Sequence, residues 1–145
     1  MENGIVHQST CVNSPQQNGI AERKNRHLLE VARALLFSTK VPKYLWGEAV
    51  LTVAHLTNRM PSRVLSLKTH FETFLKFFPS APISADLPLK IFGCTAFVHE
   101  QKQIGKLEPP AIKCVFVGYS FPQKGYKCFD PNSKRMFVTM DVTFF

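Results

Sequence analysis

The spacing of the apolar residues changes once along this chain, between Pro79 and Pro88, and the change dictates what can form on either side. Before it, Ala21, Leu28, Val31, Ala32, Leu35 and Leu36 recur at the 3.6-residue interval of one helix face, predicting a helix over 20–37. Glu22, Arg26 and Arg33 fall together on another face. After Val41-Pro42, Tyr44, Leu45, Trp46, Ala49, Val50, Val53 and Leu56 predict a second helix to about Asn58, with Pro42 suited to its first turn and Trp46 expected in the core. Thr69 to Phe78 reads as a short third helix, and Pro79-Ser80-Ala81-Pro82 with Pro88 as a connector. Beyond it, residues 91–99, 112–119, 126–129 and 135–145 read as strands, the last placing Met136, Val138, Met140, Val142 and Phe144 on one face. Near the start, residues 4–10 suit a strand, and Ser14-Pro15-Gln16-Gln17 fits a capping box. Short strands with turns such as Asp130-Pro131-Asn132-Ser133 point to a small barrel of the SH3-like kind. The expected class is α+β, helices first.

Composition sets limits on function. The chain has 145 residues, enough for one domain or two small ones, and 45% hydrophobic content with 13 phenylalanines supplies a core. The net charge of +8 is distributed: residues 1–65 hold eight Lys plus Arg against four Glu, and residues 66–145 hold ten against six acids. Such a surface suits a polyanion, nucleic acid first. The sequence shows neither an apolar run of membrane-spanning length nor the basic start and apolar stretch of a signal peptide, so a soluble intracellular protein without a membrane partner is expected. Cys11, Cys94, Cys114 and Cys128 form no C-x-x-C pair, and His7 with Cys11 is half a metal site without a second half; reduced core or surface thiols are expected. Serine-nucleophile, phosphate-loop and dinucleotide fingerprints are absent, and His27 and His55 are expected to be packing residues. Tyr119 and Tyr126 with Lys113, Lys124 and Lys127 are open to two readings, a surface that touches nucleic acid or ordinary turn and strand exposure.

The most informative stretch is Ser14-Pro15-Gln16-Gln17-Asn18-Gly19-Ile20-Ala21-Glu22-Arg23-Lys24-Asn25-Arg26. Strand transfer is the attack of a hydroxyl on a phosphodiester, and carboxylates holding divalent metals activate the nucleophile and stabilise the leaving oxygen. A glutamate opening a helix can hold a metal rigidly, Gly19 lets the backbone approach DNA, and Arg26 follows one turn on to meet phosphate. Alternatively, Glu22 simply favours the helix start and pairs with Arg26 at i, i+4. Arg23, Lys24, Arg26 and Arg33 are the densest basic patch and the candidates for phosphate contact, with Gln16, Asn18 and Asn25 as polar neighbours. A solvated helix face is the other reading of the same charges.

This stretch resembles the third-carboxylate motif of retroviral and retrotransposon integrases: a proline-glutamine loop, a polar residue, glycine, two small or apolar residues, then the catalytic glutamate. The resemblance continues through Leu45-Trp46-Gly47-Glu48-Ala49, Asn58-Arg59-Met60-Pro61-Ser62, Phe92-Gly93-Cys94, Val117-Gly118-Tyr119-Ser120, Gly125-Tyr126-Lys127, Asp130-Pro131 and Asp141-Val142-Thr143-Phe144, a succession similar to copia-type retrotransposon polyproteins. His70 departs from it, such elements usually having proline after Lys68-Thr69.

The resemblance implies the C-terminal part of a ribonuclease H-like integrase core over 1–60, a connector with a short helix over 61–86 and an SH3-like β domain over 87–145. It implies Glu22 as third carboxylate and metal ligand, Mg²⁺ or Mn²⁺ as the cofactor of the intact integrase, DNA as partner, the remainder of the Pol polyprotein if encoded upstream, and a nuclear location. Integrases of this kind need two aspartates before the glutamate, the second farther upstream than the 21 residues preceding Glu22, and the aspartates here are Asp86, Asp130 and Asp141. A truncated, catalytically inactive copy with residual nucleic-acid binding is therefore expected, with no metal held tightly. Its helix stripe Leu28, Val31, Leu35 and Leu36 is expected to lie uncovered, leaving the N-terminal end partly molten or self-associating. The alternative is a non-catalytic module whose SH3-like unit binds a protein partner.

Overall fold

The computed structural model describes residue 11 and residues 18–80, 87–99, 111–120 and 123–145. The expected strand over 4–10 and capping box over 14–17 lie outside them. Helix α1 spans Gly19–Ser38 and α2 Trp46–Arg59, the latter preceded by a 3₁₀ turn over Lys43–Leu45; α3 spans His70–Phe77. Five strands follow, β1 Thr95–His99, β2 Ala111–Tyr119, β3 Tyr126–Phe129, β4 Met136–Thr139 and β5 Val142–Phe144. They form one antiparallel sheet in the order β4-β3-β2-β1-β5. Helix α3 begins with a capping box in which Thr69 accepts from the Glu72 N–H while the Glu72 carboxylate accepts from the Thr69 N–H, both at 2.9 Å.

The chain expected as a single last strand is two. Between β4 and β5 only Met140 and Asp141 intervene, yet β4 pairs with β3 at one edge of the sheet and β5 with β1 at the other. The Asp141 N–H donates to Thr139 Oγ1 and the Val142 N–H to the Met140 carbonyl, tightening a corner that shifts the pleat by one residue. Phe137, Val142 and Phe144 consequently pack on the core, while Met136 and Met140 face solvent. The expected single face from Met136 to Phe144 is thus corrected.

Two cores share strand β2. Cys114 and Phe116 point into the β unit with Ala96, Val98, Tyr126 and Cys128, and Phe116 meets Tyr119, Tyr126 and Phe144 edge-on at 5.2–5.9 Å. The thiols here are free, and burial pushes Cys114 up to about 11 and Cys128 up to about 12. Val115 and Val117 point the other way, into a core with Phe92, Phe129, Ala32, Val41, Ala49 and Val53. Leu28, Val31, Leu35 and Leu36 of α1 are half-buried against this second core. The stripe expected to be uncovered is covered from within the chain, because α2 and the outer face of β2 supply the packing surface. Fully buried Ala49 and nearly buried Ala32 let the helices approach closely.

Specific contacts lock the helices to the sheet. Glu48 of α2 receives both its oxygens' contacts from Lys127 Nζ of β3, at 2.9 and 3.0 Å. Thr52 Oγ1 donates to the Val117 carbonyl at 3.2 Å, and a Cβ on Gly118 would stand 2.8 Å from that hydroxyl. Gly93 has φ +81° and faces the Thr39 side chain at the end of α1 with no room for a Cβ. Replacing Gly93 by Ala should therefore cost at least about 2 kcal/mol, from steric overlap and left-handed strain together. The midpoint of denaturant unfolding measures it, and Thr39→Gly in the same chain should recover part of the loss.

His55 of α2 is buried flat against Tyr119, ring centroids 3.9 Å apart and planes within 10°. Burial, and secondarily the Arg59 charge, lower its pKa to about 4. The unfolded chain, with an ordinary histidine near 6.5, takes up the proton first, so stability should be fully present above pH 6.5 and decline as pH falls toward about 4. In His55→Gln the part of this decline lying between pH 6.5 and 5, above the range where carboxylates titrate, should disappear.

Candidate functional site

Helix α1 has two dissimilar halves. From Leu28 onward one side packs on α2, whereas Ile20 to His27 are exposed all round, Ile20 at 84%. The exposed half carries Glu22, Arg23, Lys24, Asn25 and Arg26, preceded by exposed Asn18, whose side chain makes no capping bond. Gln16 lies outside the described residues. Arg33 is also exposed, on the face shared by Glu22 and Arg26, and about 16 Å separates Glu22 from Arg33 along the helix axis. The structure therefore brings the sequence-predicted residues from Asn18 to Arg26 together on one projecting helix start and carries Arg33 along the same face. No ion pair joins Glu22 to Arg26.

The electrostatics of this helix start are lopsided. A helix N-terminus carries positive partial charge, so Glu22 in the first turn is favourable there. Arg23, Lys24 and Arg26 follow in the next turn and make no ion pair. The unsatisfied first-turn N–H groups and these three cations add to a field suited to an anion. Among the described residues no group of three His, Cys, Asp or Glu side chains gathers, and a two-metal arrangement needs more carboxylates than Glu22.

Other sequence candidates are placed differently. Tyr119 and Tyr126 are buried, Tyr119 Oη accepting from the Lys90 N–H at 2.8 Å and Tyr126 Oη donating to the Pro88 carbonyl at 3.2 Å, so neither is a surface ring. Lys127 is held by Glu48. Trp46, expected in the core, is 60% exposed: it is the first residue of α2 and lines a shallow hollow of about 420 Å³ with Tyr44, Leu45, Gly47, Glu48, Val50 and Leu51. His27 is exposed, whereas His55 is a packing residue as expected. Sequence reading passed over the turn 61–69, although one signal was visible: no acid occurs between Glu48 and Glu72, while Arg59, Arg63 and Lys68 do.

A five-stranded antiparallel unit closed by a bent β4–β5 segment is SH3-like, and residues 94–145 match the model of the retroviral polymerase SH3-like domain. The chain is 42% identical over 97% of its length to the retrovirus-related Pol polyprotein from transposon TNT 1-94 of Nicotiana tabacum. It is 33% identical over 99% to that from transposon RE1 of Arabidopsis thaliana, and 28% identical over 98% to the transposon Ty1-DR6 Gag-Pol polyprotein of Saccharomyces cerevisiae. The chain belongs to the Pol polyprotein family of Ty1/copia-type retrotransposons. It spans 10% of the length of the two plant relatives and 8% of the yeast one. No solved structure matches it.

Since the basic side chains of the helix start touch nothing that holds the fold, Arg23→Ala, Lys24→Ala and Arg26→Ala should each change stability by less than about 0.5 kcal/mol. Thermal unfolding of the three variants beside the parent checks this.

Proposed function

We propose that this segment is the DNA-contacting end of a retrotransposon integrase, with an ancestral role in DNA integration. Residues 18–60 would be the C-terminal helices of a ribonuclease H-like core and the SH3-like unit the region that follows it. Glu22 would serve as the third metal-binding carboxylate, and Arg23, Lys24, Arg26 and Arg33, with Gln16, Asn18 and Asn25, would hold phosphate and sugar. The observation that carries this reading is the start of α1, where the exposed cations Arg23, Lys24 and Arg26 gather around a glutamate that pairs with none of them. Integrase ancestry accounts for that arrangement, and the similarity to Pol polyproteins over nearly the whole chain supports it.

In an intact integrase Mg²⁺ or Mn²⁺ would activate the attacking hydroxyl and stabilise the leaving oxygen. Within these 145 residues Glu22 has no aspartate before it, so the other carboxylates would have to come from outside them. By themselves these residues would bind DNA without cutting or joining it, and the place of action would be the nucleus. On the alternative reading, a protein-binding SH3-like module, DNA would be ignored.

The 145-residue protein should bind duplex DNA with an affinity that falls steeply with salt, log K against log[salt] losing about one unit of slope for each phosphate contact removed. Arg26→Ala should flatten the slope, and strand transfer with either metal should stay at background. DNA binding that is absent or indifferent to salt would favour the protein-binding module, and metal-dependent strand transfer would refute the proposed inactivity.

A further inference from the structure

Between α2 and α3 the chain passes through a closed turn whose ends meet in a backbone bridge between Pro61 and Thr69. Within it the N–H groups of Leu65 and Leu67 donate to the Ser62 carbonyl at 3.1 and 2.9 Å, and the Ser62 N–H donates to the Lys68 carbonyl at 3.0 Å. The capping box of Thr69 and Glu72 fixes its far end to α3. Ser66 and Leu67 have φ of 54° and 66°, the left-handed conformation that L side chains resist. The same turn leaves Val64 92% and Leu67 73% exposed. The strained backbone opposes folding and the solvated apolar side chains add little to it, yet the hydrogen bonds hold the turn in this shape.

Its charge and position indicate what such a tip would meet. Arg63 and Lys68 flank the two apolar side chains, and no acid lies between Glu48 and Glu72. Helices α1 and α2 pack together across a short connection, Leu28 to Leu36 against Leu45 to Val53, and the turn follows the far end of α2. A stable protein interface requires some 20–30 residues a side, far more than this tip offers, whereas one or two apolar side chains are enough to unstack a base step.

Resting on the DNA-binding reading above, we infer that the turn 61–69 is an apolar wedge for duplex DNA, with Val64 and Leu67 entering a base step and Arg63 and Lys68 meeting the flanking phosphates. A wedge acts where unstacking is cheapest, so the site selects flexible or interrupted duplex and bends it.

The test uses the double variant Val64→Ser, Leu67→Asn. Both side chains face solvent, and asparagine accepts the left-handed conformation, so the variant should unfold at the same or higher denaturant concentration than the parent. Binding and end-to-end distance are read by fluorescence on a short duplex, intact or nicked at its centre. The parent should prefer and bend the nicked duplex; the double variant should lose about tenfold in affinity for it and lose the bend, with its salt slope unchanged. Arg63→Gln with Lys68→Gln should instead flatten the slope. Parent-like binding and bending by the double variant would overturn the wedge while leaving DNA binding by α1 intact, and so would loss of affinity equal for both duplexes without change in bend. Failure of the parent to bind either duplex at low salt would overturn the DNA-binding reading and the wedge with it.

Discussion

Strand β2 is buried on both faces, and the arrangement of the molecule depends on that. Alternation sends Cys114 and Phe116 into the β unit and Val115 and Val117 toward the helices, so a single backbone holds both cores in register. An antiparallel strand usually keeps one wet face. Here that face is occupied by α2, and the Thr52 hydroxyl reaching the Val117 carbonyl beside Gly118 shows how close the helix lies. Tyr119 then joins the two sides, stacked on His55 of α2 and edge-on to Phe116 of the β unit.

This shared strand gives the helices a packing surface within the chain. The apolar stripe of α1 meets α2 and the outer side of β2, and the Glu48–Lys127 pair ties the same helix to β3. The two side chains of that pair are largely shielded from solvent, so removing one partner would leave the other poorly solvated; the pair fixes orientation more than it adds net stability. With packing concentrated from Leu28 onward, the first turns of α1 are released from packing and can carry charged side chains on every face.

Much of the fold was legible in the sequence because it is encoded locally. The 3.6-residue repeat located α1, the stretch from Thr69 to Phe78 read as the short third helix, and strands β1 to β3 followed from runs of β-branched and aromatic residues. What escaped depends on contacts distant in sequence. The alternation from Met136 to Phe144 looks continuous, and only the separate pairing of β4 with β3 and β5 with β1 reveals the corner at Met140–Asp141 that reverses its first half. Tyr119 and Tyr126 are amphipathic enough for a surface, yet the 87–90 segment supplies backbone partners for both hydroxyls and draws them inside. The candidate site divides in the same way. Its residues on α1 could be placed on a helix start from spacing alone, whereas the exposure of all of them at once required knowing where the cover of α2 stops.

Stability and strain are thus unequally distributed. The β unit holds buried aromatics and buried thiols, and the Glu48–Lys127 pair ties it to α2; the first turns of α1 hold cations without ion pairs, and the turn after α2 holds two left-handed side-chain-bearing residues and exposed apolar groups. Exposed basic side chains occur at both the start of α1 and the turn after α2, with no acid between Glu48 and Glu72, and a polyanion is the ligand such surfaces suit.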